Sequence, residues 1–215
     1  VKDSLWYNFS LKNNTCDLVF DRKEIVIPAG MELVRASLSS SQKFLTMELR
    51  PYQEKVNKDK KEEEIKPDKS FELELWTWDE YEVPTLQTRS RYSHPQYSKY
   101  IYDIASQKLT EVAPGYADLL EPDRAEEIHY VLYTDETPYR SQKDWLNEMP
   151  FDIYSVNVHT GEKQLVGRSY RTRPRWSMNG KWAVMYDPIA QVWNKFDGKT
   201  GEVTDSLLYT SASPR

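Results

Sequence analysis

Residues 151–204 alternate short apolar runs (153–158, 164–166, 181–186 and 191–196) with polar turns. Runs this short, bounded by turn residues and rich in β-branched and aromatic side chains, predict strands. Two of the turns carry the same tripeptide, Thr160-Gly161-Glu162 and Thr200-Gly201-Glu202, 40 residues apart. A repeat of about 40 residues holding four short strands is the sequence signature of a β-propeller blade.

Other stretches can be laid over this pattern. Leu38-Ser39, three turn residues and Lys43-Phe44 align with Trp176-Ser177, three turn residues and Lys181-Trp182. This reads as the hairpin joining a blade's first two strands, with the serine satisfying turn backbone groups. Residues 100–112 repeat the strand, turn and strand around Thr160 and Thr200, with Ser106 in the threonine position. Strands are also expected at 5–11, 16–20, 24–27 and 128–133, and at 71–83, where Phe71, Leu73 and Leu75 alternate with Glu72, Glu74 and Trp76. Residues 117–120 predict a helical turn. The fold expected is all-β: a propeller of four-stranded antiparallel blades, partial, with about four blades plus a fragment, and residues 1–215 forming one region.

Two segments interrupt it. Residues 53–69 are almost entirely charged and polar, so they bury too little apolar surface to offset the entropy of ordering. They predict a flexible, solvated insertion between two strands. Residues 134–150 form a polar connection long enough to project from its blade.

Composition narrows the partners. A net charge of −5 over 215 residues repels a polyanion and argues against nucleic acid. No apolar run approaches the roughly 18–20 residues that span a bilayer. Cys16 is the only cysteine, so neither an internal disulfide nor a multi-cysteine metal site is expected. The chain opens at Val1 directly on a strand-like run, which predicts a mature or excised segment of something longer. The 15 Tyr, 7 Trp and 6 Phe suit pleated surfaces, and Trp76, Trp78, Trp145, Trp176, Trp182 and Trp193 are read as packing between blades.

The seven glycines, at 30, 115, 161, 167, 180, 198 and 201, remove several chemistries together. No pair has the spacing of a nucleophile elbow, a P-loop or a dinucleotide fingerprint. His94, His129 and His159 lack metal-ligand spacing, so no metal and no cofactor is expected. No catalytic residue is assigned. Two groups remain as candidate binding residues. Glu126 and Glu127 could present two carboxylates to a ligand's ammonium group, although one of them should face away if a strand begins there. Arg171 and Arg173, in a connection between blades flanked by Arg168 and Arg175, could grip a carboxylate, or could pair with neighbouring acids.

The acidic-apolar run into Trp76-Thr77-Trp78-Asp79, followed by Pro84, Gln87 and an arginine-bearing segment, resembles the amino-terminal propeller of prolyl-oligopeptidase-type serine peptidases, in particular bacterial dipeptidyl and acylaminoacyl members. Residues 39–45, 100–109 and 152–163 extend the resemblance over about 33–205. It implies a non-catalytic domain that filters peptide access to an α/β-hydrolase domain absent from this chain, and it favours a periplasmic or secreted location. The dipeptidyl members read a substrate's amino terminus with paired glutamates; Glu126-Glu127 lacks the aromatic residues that lead into that motif. The alternative is a stand-alone propeller that binds proteins or peptides as a module or scaffold. A propeller hydrolase acting through its own carboxylates finds no recognisable acid pair here.

Overall fold

The computed structural model describes residues 5–10, 15–21, 25–52, 97–122, 125–143 and 145–206. An antiparallel hairpin of β1 (Leu5–Ser10) and β2 (Thr15–Asp21) comes first. Three four-stranded antiparallel sheets follow, each formed by consecutive strands in simple up-and-down order. The first holds β3 (Met31–Leu38), β4 (Phe44–Pro51), β5 (Ser98–Asp103) and β6 (Lys108–Ala113). The second holds β7 (Asp118–Leu120), β8 (Tyr130–Asp135), β9 (Phe151–Asn157) and β10 (Lys163–Tyr170). The third holds β11 (Arg175–Trp176), β12 (Trp182–Asp187), β13 (Val192–Asp197) and β14 (Val203–Ser206).

These sheets are the blades of a propeller stacked face to face. Phe44, Ile101, Val112 and Ala113 of the first blade form one core with Val131, Tyr133 and Val156 of the second. Leu132, Phe151, Ile153 and Tyr170 on the second blade's other face form the next core with Ala183, Met185 and Phe196 of the third. The middle strands of the second blade, β8 and β9, are therefore sandwiched between two apolar layers. Apolar residues fall on both of their faces because both faces are buried.

Polar bonds lock the seams. Thr46 Oγ1 donates to Glu121 at 2.7 Å, and Lys99 Nζ to the Ala117 carbonyl at 2.6 Å, joining the first blade to the second. Trp176 Nε1 donates to the Leu120 carbonyl at 2.9 Å, and Asn194 Nδ2 to the Tyr170 hydroxyl at 3.0 Å, joining the second to the third.

The repeated turns have the same geometry in each copy. The Ser39 and Ser177 amides donate to the carbonyls of Phe44 and Trp182, and each serine hydroxyl accepts the amide of that same residue at 3.2 Å. In the turns before Glu162 and Glu202, one side chain organises the loop. Asn157 Oδ1 accepts the amides of His159 and Thr160, and Asp197 Oδ1 those of Lys199 and Thr200. Four residues further on, Gly161 and Gly201 adopt φ of +80° and +77°. The turn after β5 keeps this plan with Asp103 as acceptor and Gln107 at φ +54°.

Several expectations are corrected. Of the strand expected at 24–27, the described residues 25–27 form none, and Ile25 instead buries against Leu45, Met47 and Leu49 of the first blade. Residues 117–120 form no helical turn, because Asp118, Leu119 and Leu120 pair with Thr134, Tyr133 and Leu132 as an edge strand. Of the tryptophans read as packing between blades, Trp176 fits, whereas Trp145, Trp182 and Trp193 are exposed. Trp182 and Trp193 lie on a face of the third blade that no other described blade covers. The charged segment 53–69, the alternating run 71–83, Trp76, Trp78 and His94 lie outside the described residues. They belong to the connection between β4 and β5, which pair directly. Between β8 and β9 the chain makes a 3-10 helix, Thr137–Gln142.

Candidate ligand cleft between the second and third blades

In an up-and-down blade the first and third turns lie at one end of the sheet and the second turn at the other. Three turns of the first kind converge on an open cleft of about 450 Å³. The second blade supplies Glu126, Glu127 and His129 from the β7–β8 connection. The third supplies Asn179, Gly180 and Lys181 from the β11–β12 hairpin, and Gly198 and Lys199 from the β13–β14 hairpin. One wall is thus acidic and the other basic.

Local chemistry explains each wall. Strand pairing in the second blade begins at Tyr130, not at residue 128, so Glu126 and Glu127 sit on irregular backbone and both reach the cleft. No strand begins at these two residues, so the condition under which one would face away is not met. Both are exposed, and Glu127 Oε2 lies 3.7 Å from His129 Nε2. On the third blade the Gly198 amide donates to the Lys181 carbonyl at 2.8 Å, holding the two hairpins together. A Cβ on Gly198 would stand 2.3 Å from the Gly180 carbonyl oxygen, so only glycine allows that approach. Gly180, at φ +68°, in turn abuts Ala125, beside the two glutamates. Asp197, which accepts the Thr200 and Lys199 amides, is held below the ordinary aspartate pKa by those two bonds and stays ionised beside the basic wall.

Among the described residues no ion pair joins Glu126 to Lys181 or Lys199, which leaves these charges for a ligand. Among the described residues no hydroxyl or thiol side chain lines the cleft; its groups are carboxylates, amines, an imidazole and an amide. No cluster of three His, Cys, Asp or Glu among the described residues is arranged for a metal. No described helix is long and apolar enough to cross a membrane.

Arg171 and Arg173 fall elsewhere. They occupy the connection from β10 to β11, at the opposite end of the blades, and both are exposed. Arg173 Nη2 binds Asp118 Oδ2 at 2.6 Å; Asp118 opposes Thr134, near the far end of β8 from Tyr130. The glutamates and the arginines therefore cannot share one small ligand. A smaller polar recess of about 200 Å³, lined by Arg35, Glu48, Lys99 and Glu121, lies between the first and second blades. His159 is exposed in its turn, its ring 5.6 Å from that of His129 and its Nδ1 4.0 Å from Asp103.

Sequence reasoning missed Asn179, Lys181, Gly198 and Lys199. The signal was present in the repeated turns themselves, which place polar residues of neighbouring hairpins side by side at one end of the stack.

The described part of this chain is thus a β-propeller section with a charged cleft at one blade seam. No protein-family model matches the chain, and a search of curated proteins finds no match. Among solved structures it is similar to TolB from Acinetobacter baumannii (TM-score 0.34, 11% identity, 95% of this chain and 40% of that one). It is also similar to an oligogalacturonate lyase in complex with manganese (TM-score 0.42, 12% identity, 93% of this chain and 46% of that one). A third similar structure is an oligogalacturonate lyase from Vibrio parahaemolyticus (TM-score 0.30, 8% identity, 93% and 58%). The chain spans between 40% and 58% of the length of these structures.

Proposed function

We propose that this chain is the non-catalytic propeller domain of a serine peptidase resembling the prolyl-oligopeptidase family, and that it holds peptide termini in the cleft between its second and third blades. Under this reading residues 1–215 form one propeller region, 53–69 are a charged flexible insertion and 134–150 are an inter-strand loop that projects from its blade. The domain filters which peptides reach a hydrolase domain carried elsewhere in the protein. The supporting observation is the pairing of Glu126 and Glu127 on one wall with Lys181 and Lys199 on the other.

A short peptide with free termini is a zwitterion. Its ammonium group can meet the two carboxylates while its carboxylate meets the lysines, each through charge-assisted hydrogen bonds. The volume of about 450 Å³ lies within the range of small-ligand sites. The side chains are exposed, so each contact is screened and weak, and a dissociation constant on the order of 0.1–1 mM is expected. Arg171 and Arg173, at the opposite end, take no part in this contact and remain candidates for the carboxyl end of a longer peptide.

Calorimetric titration with alanyl-alanine and with its acetylated, amidated analogue tests the reading. The free dipeptide should bind, the capped one should not, and E126Q/E127Q should weaken binding about tenfold or more, the effect of losing about 1.4 kcal/mol. Equal binding of both peptides, or of neither, overturns it. The chain alone should not hydrolyse chromogenic peptides, since its glycine spacing excludes a nucleophile elbow. The second reading is a stand-alone binding propeller, in which the same cleft holds peptides or protein termini with no associated chemistry. A Gly-x-Ser-x-Gly motif with Asp and His downstream in the gene decides for the peptidase; a stop codon decides for the module.

A further inference from the structure

The three blades superpose by register, because each carries an equivalent rung at the start of its second strand: Phe44 opposite Asp103, Tyr130 opposite Asn157, and Trp182 opposite Asp197. Counting along the strands from these rungs identifies equivalent positions. On the face that receives the next blade, Thr46, Leu132 and Val184 correspond, as do Lys99, Ile153 and Trp193. In the second blade Leu132 and Ile153 are 0% exposed beneath the third. In the third blade Trp182 and Trp193 remain 40% and 39% exposed, with Tyr186 against Trp193 at 5.3 Å between ring centres. The sheet face that the next blade covers at the two earlier seams lies open at the third, where it is aromatic.

We propose that this face, formed by Trp182, Val184, Tyr186 and Trp193, is the docking surface for a further blade following β14 in the same polypeptide. Both existing seams show how such a blade enters. The incoming face is Val131, Tyr133 and Val156 at the first seam and Ala183, Met185 and Phe196 at the second, aliphatic or aromatic throughout. The next blade must present residues of the same kind at those positions, reached by a link as short as 114–117 or 171–174. A second copy of this chain does not fit the role. Among the described four-stranded blades, the one incoming face not already used at a seam is that of the first blade, where Leu45, Met47 and Leu49 are fully buried.

Hydroxyl-radical footprinting with mass spectrometry tests this on the 215-residue chain and on the native polypeptide isolated from its source. Labelling of Trp182 and Trp193 should fall about fivefold or more in the native polypeptide, because a blade seam is packed to interior density. Trp145, exposed on the β8–β9 connection, serves as the control and should label alike in both. Three results overturn the proposal: a native mass equal to that of the 215-residue chain, equal labelling of Trp182 and Trp193 in both samples, or protection that rises with concentration of the chain alongside a dimer mass in sedimentation. The last assigns the face to a second copy.

Discussion

Gly201→Ala separates the energy of the blade seam from that of the local turn. Gly201 sits at φ +77°, a conformation that costs an alanine about 1–2 kcal/mol wherever it occurs. A Cβ there would also lie 2.7 Å from Cζ of Tyr130 on the adjacent blade, well inside contact distance. Relieving that overlap displaces a ring packed edge-on against Phe196, an overpacking cost of about 1–3 kcal/mol. Two other glycines act as controls. Gly161 occupies the equivalent turn at φ +80°, and its Cβ would meet only Thr110 Cγ2 at 3.4 Å; Gly30, also at φ +80°, would meet nothing within 4 Å. Gly30→Ala and Gly161→Ala should therefore lose about 1–2 kcal/mol and Gly201→Ala about 2–5 kcal/mol. For a chain of this size each kcal/mol lowers Tm by about 2–4 °C, so the variants separate in a thermal melt followed by circular dichroism. Equal shifts for Gly161→Ala and Gly201→Ala would refute the claim that the Thr-Gly-Glu turn of the third blade is clamped against the second.

Other variants test other parts of the molecule. Phe196→Ala removes a fully buried ring that meets both Tyr130 and Trp176, and chemical denaturation should show a loss of about 3–5 kcal/mol. Asp118→Asn breaks the exposed pair with Arg173 and should change stability by less than about 1 kcal/mol in the same assay. Burial, and then the neighbouring Tyr154, Tyr116, Asp135 and Glu111, push the Tyr133 hydroxyl up to about 12. The folded state therefore keeps a proton that the unfolded state has lost, so this contribution is complete below pH 10 and disappears as pH rises towards 12. Tyr100, Tyr139 and Tyr154 are also raised by burial, so absorbance titration at alkaline pH should show several tyrosines ionising late in the native chain and one fewer in Tyr133→Phe. Asp197 has the opposite sign: its lowered pKa stabilises the turn above the unfolded aspartate range, and that contribution is lost as pH falls through the folded value.

The blade architecture was legible in the sequence because the turns that repeat it carry their own chemistry. Ser39 and Ser177 bond the same backbone amide in two blades, and a Thr-Gly-Glu loop needs the same left-handed glycine each time. Such local requirements survive as identical residues. The edge strand β7 was not legible: its three residues carry no pattern of their own and are held as a strand only by pairing with β8. The site was half legible. Glu126 and Glu127 stood out as adjacent charges, but Lys181 and Lys199 became part of the same cleft only when two hairpins of the third blade folded over Ala125. Arg171 and Arg173 looked equally suitable in sequence, and strand direction alone sends them to the other end of the blades.

The most direct test of the peptide-holding cleft is a proton–nitrogen NMR titration of the labelled chain with alanyl-alanine. The amides of Gly180, Gly198 and Lys199 should shift progressively and saturate, and should not move when the capped dipeptide is added. Shifts confined to the Arg171–Arg173 connection, or identical responses to the free and capped peptides, would contradict the account.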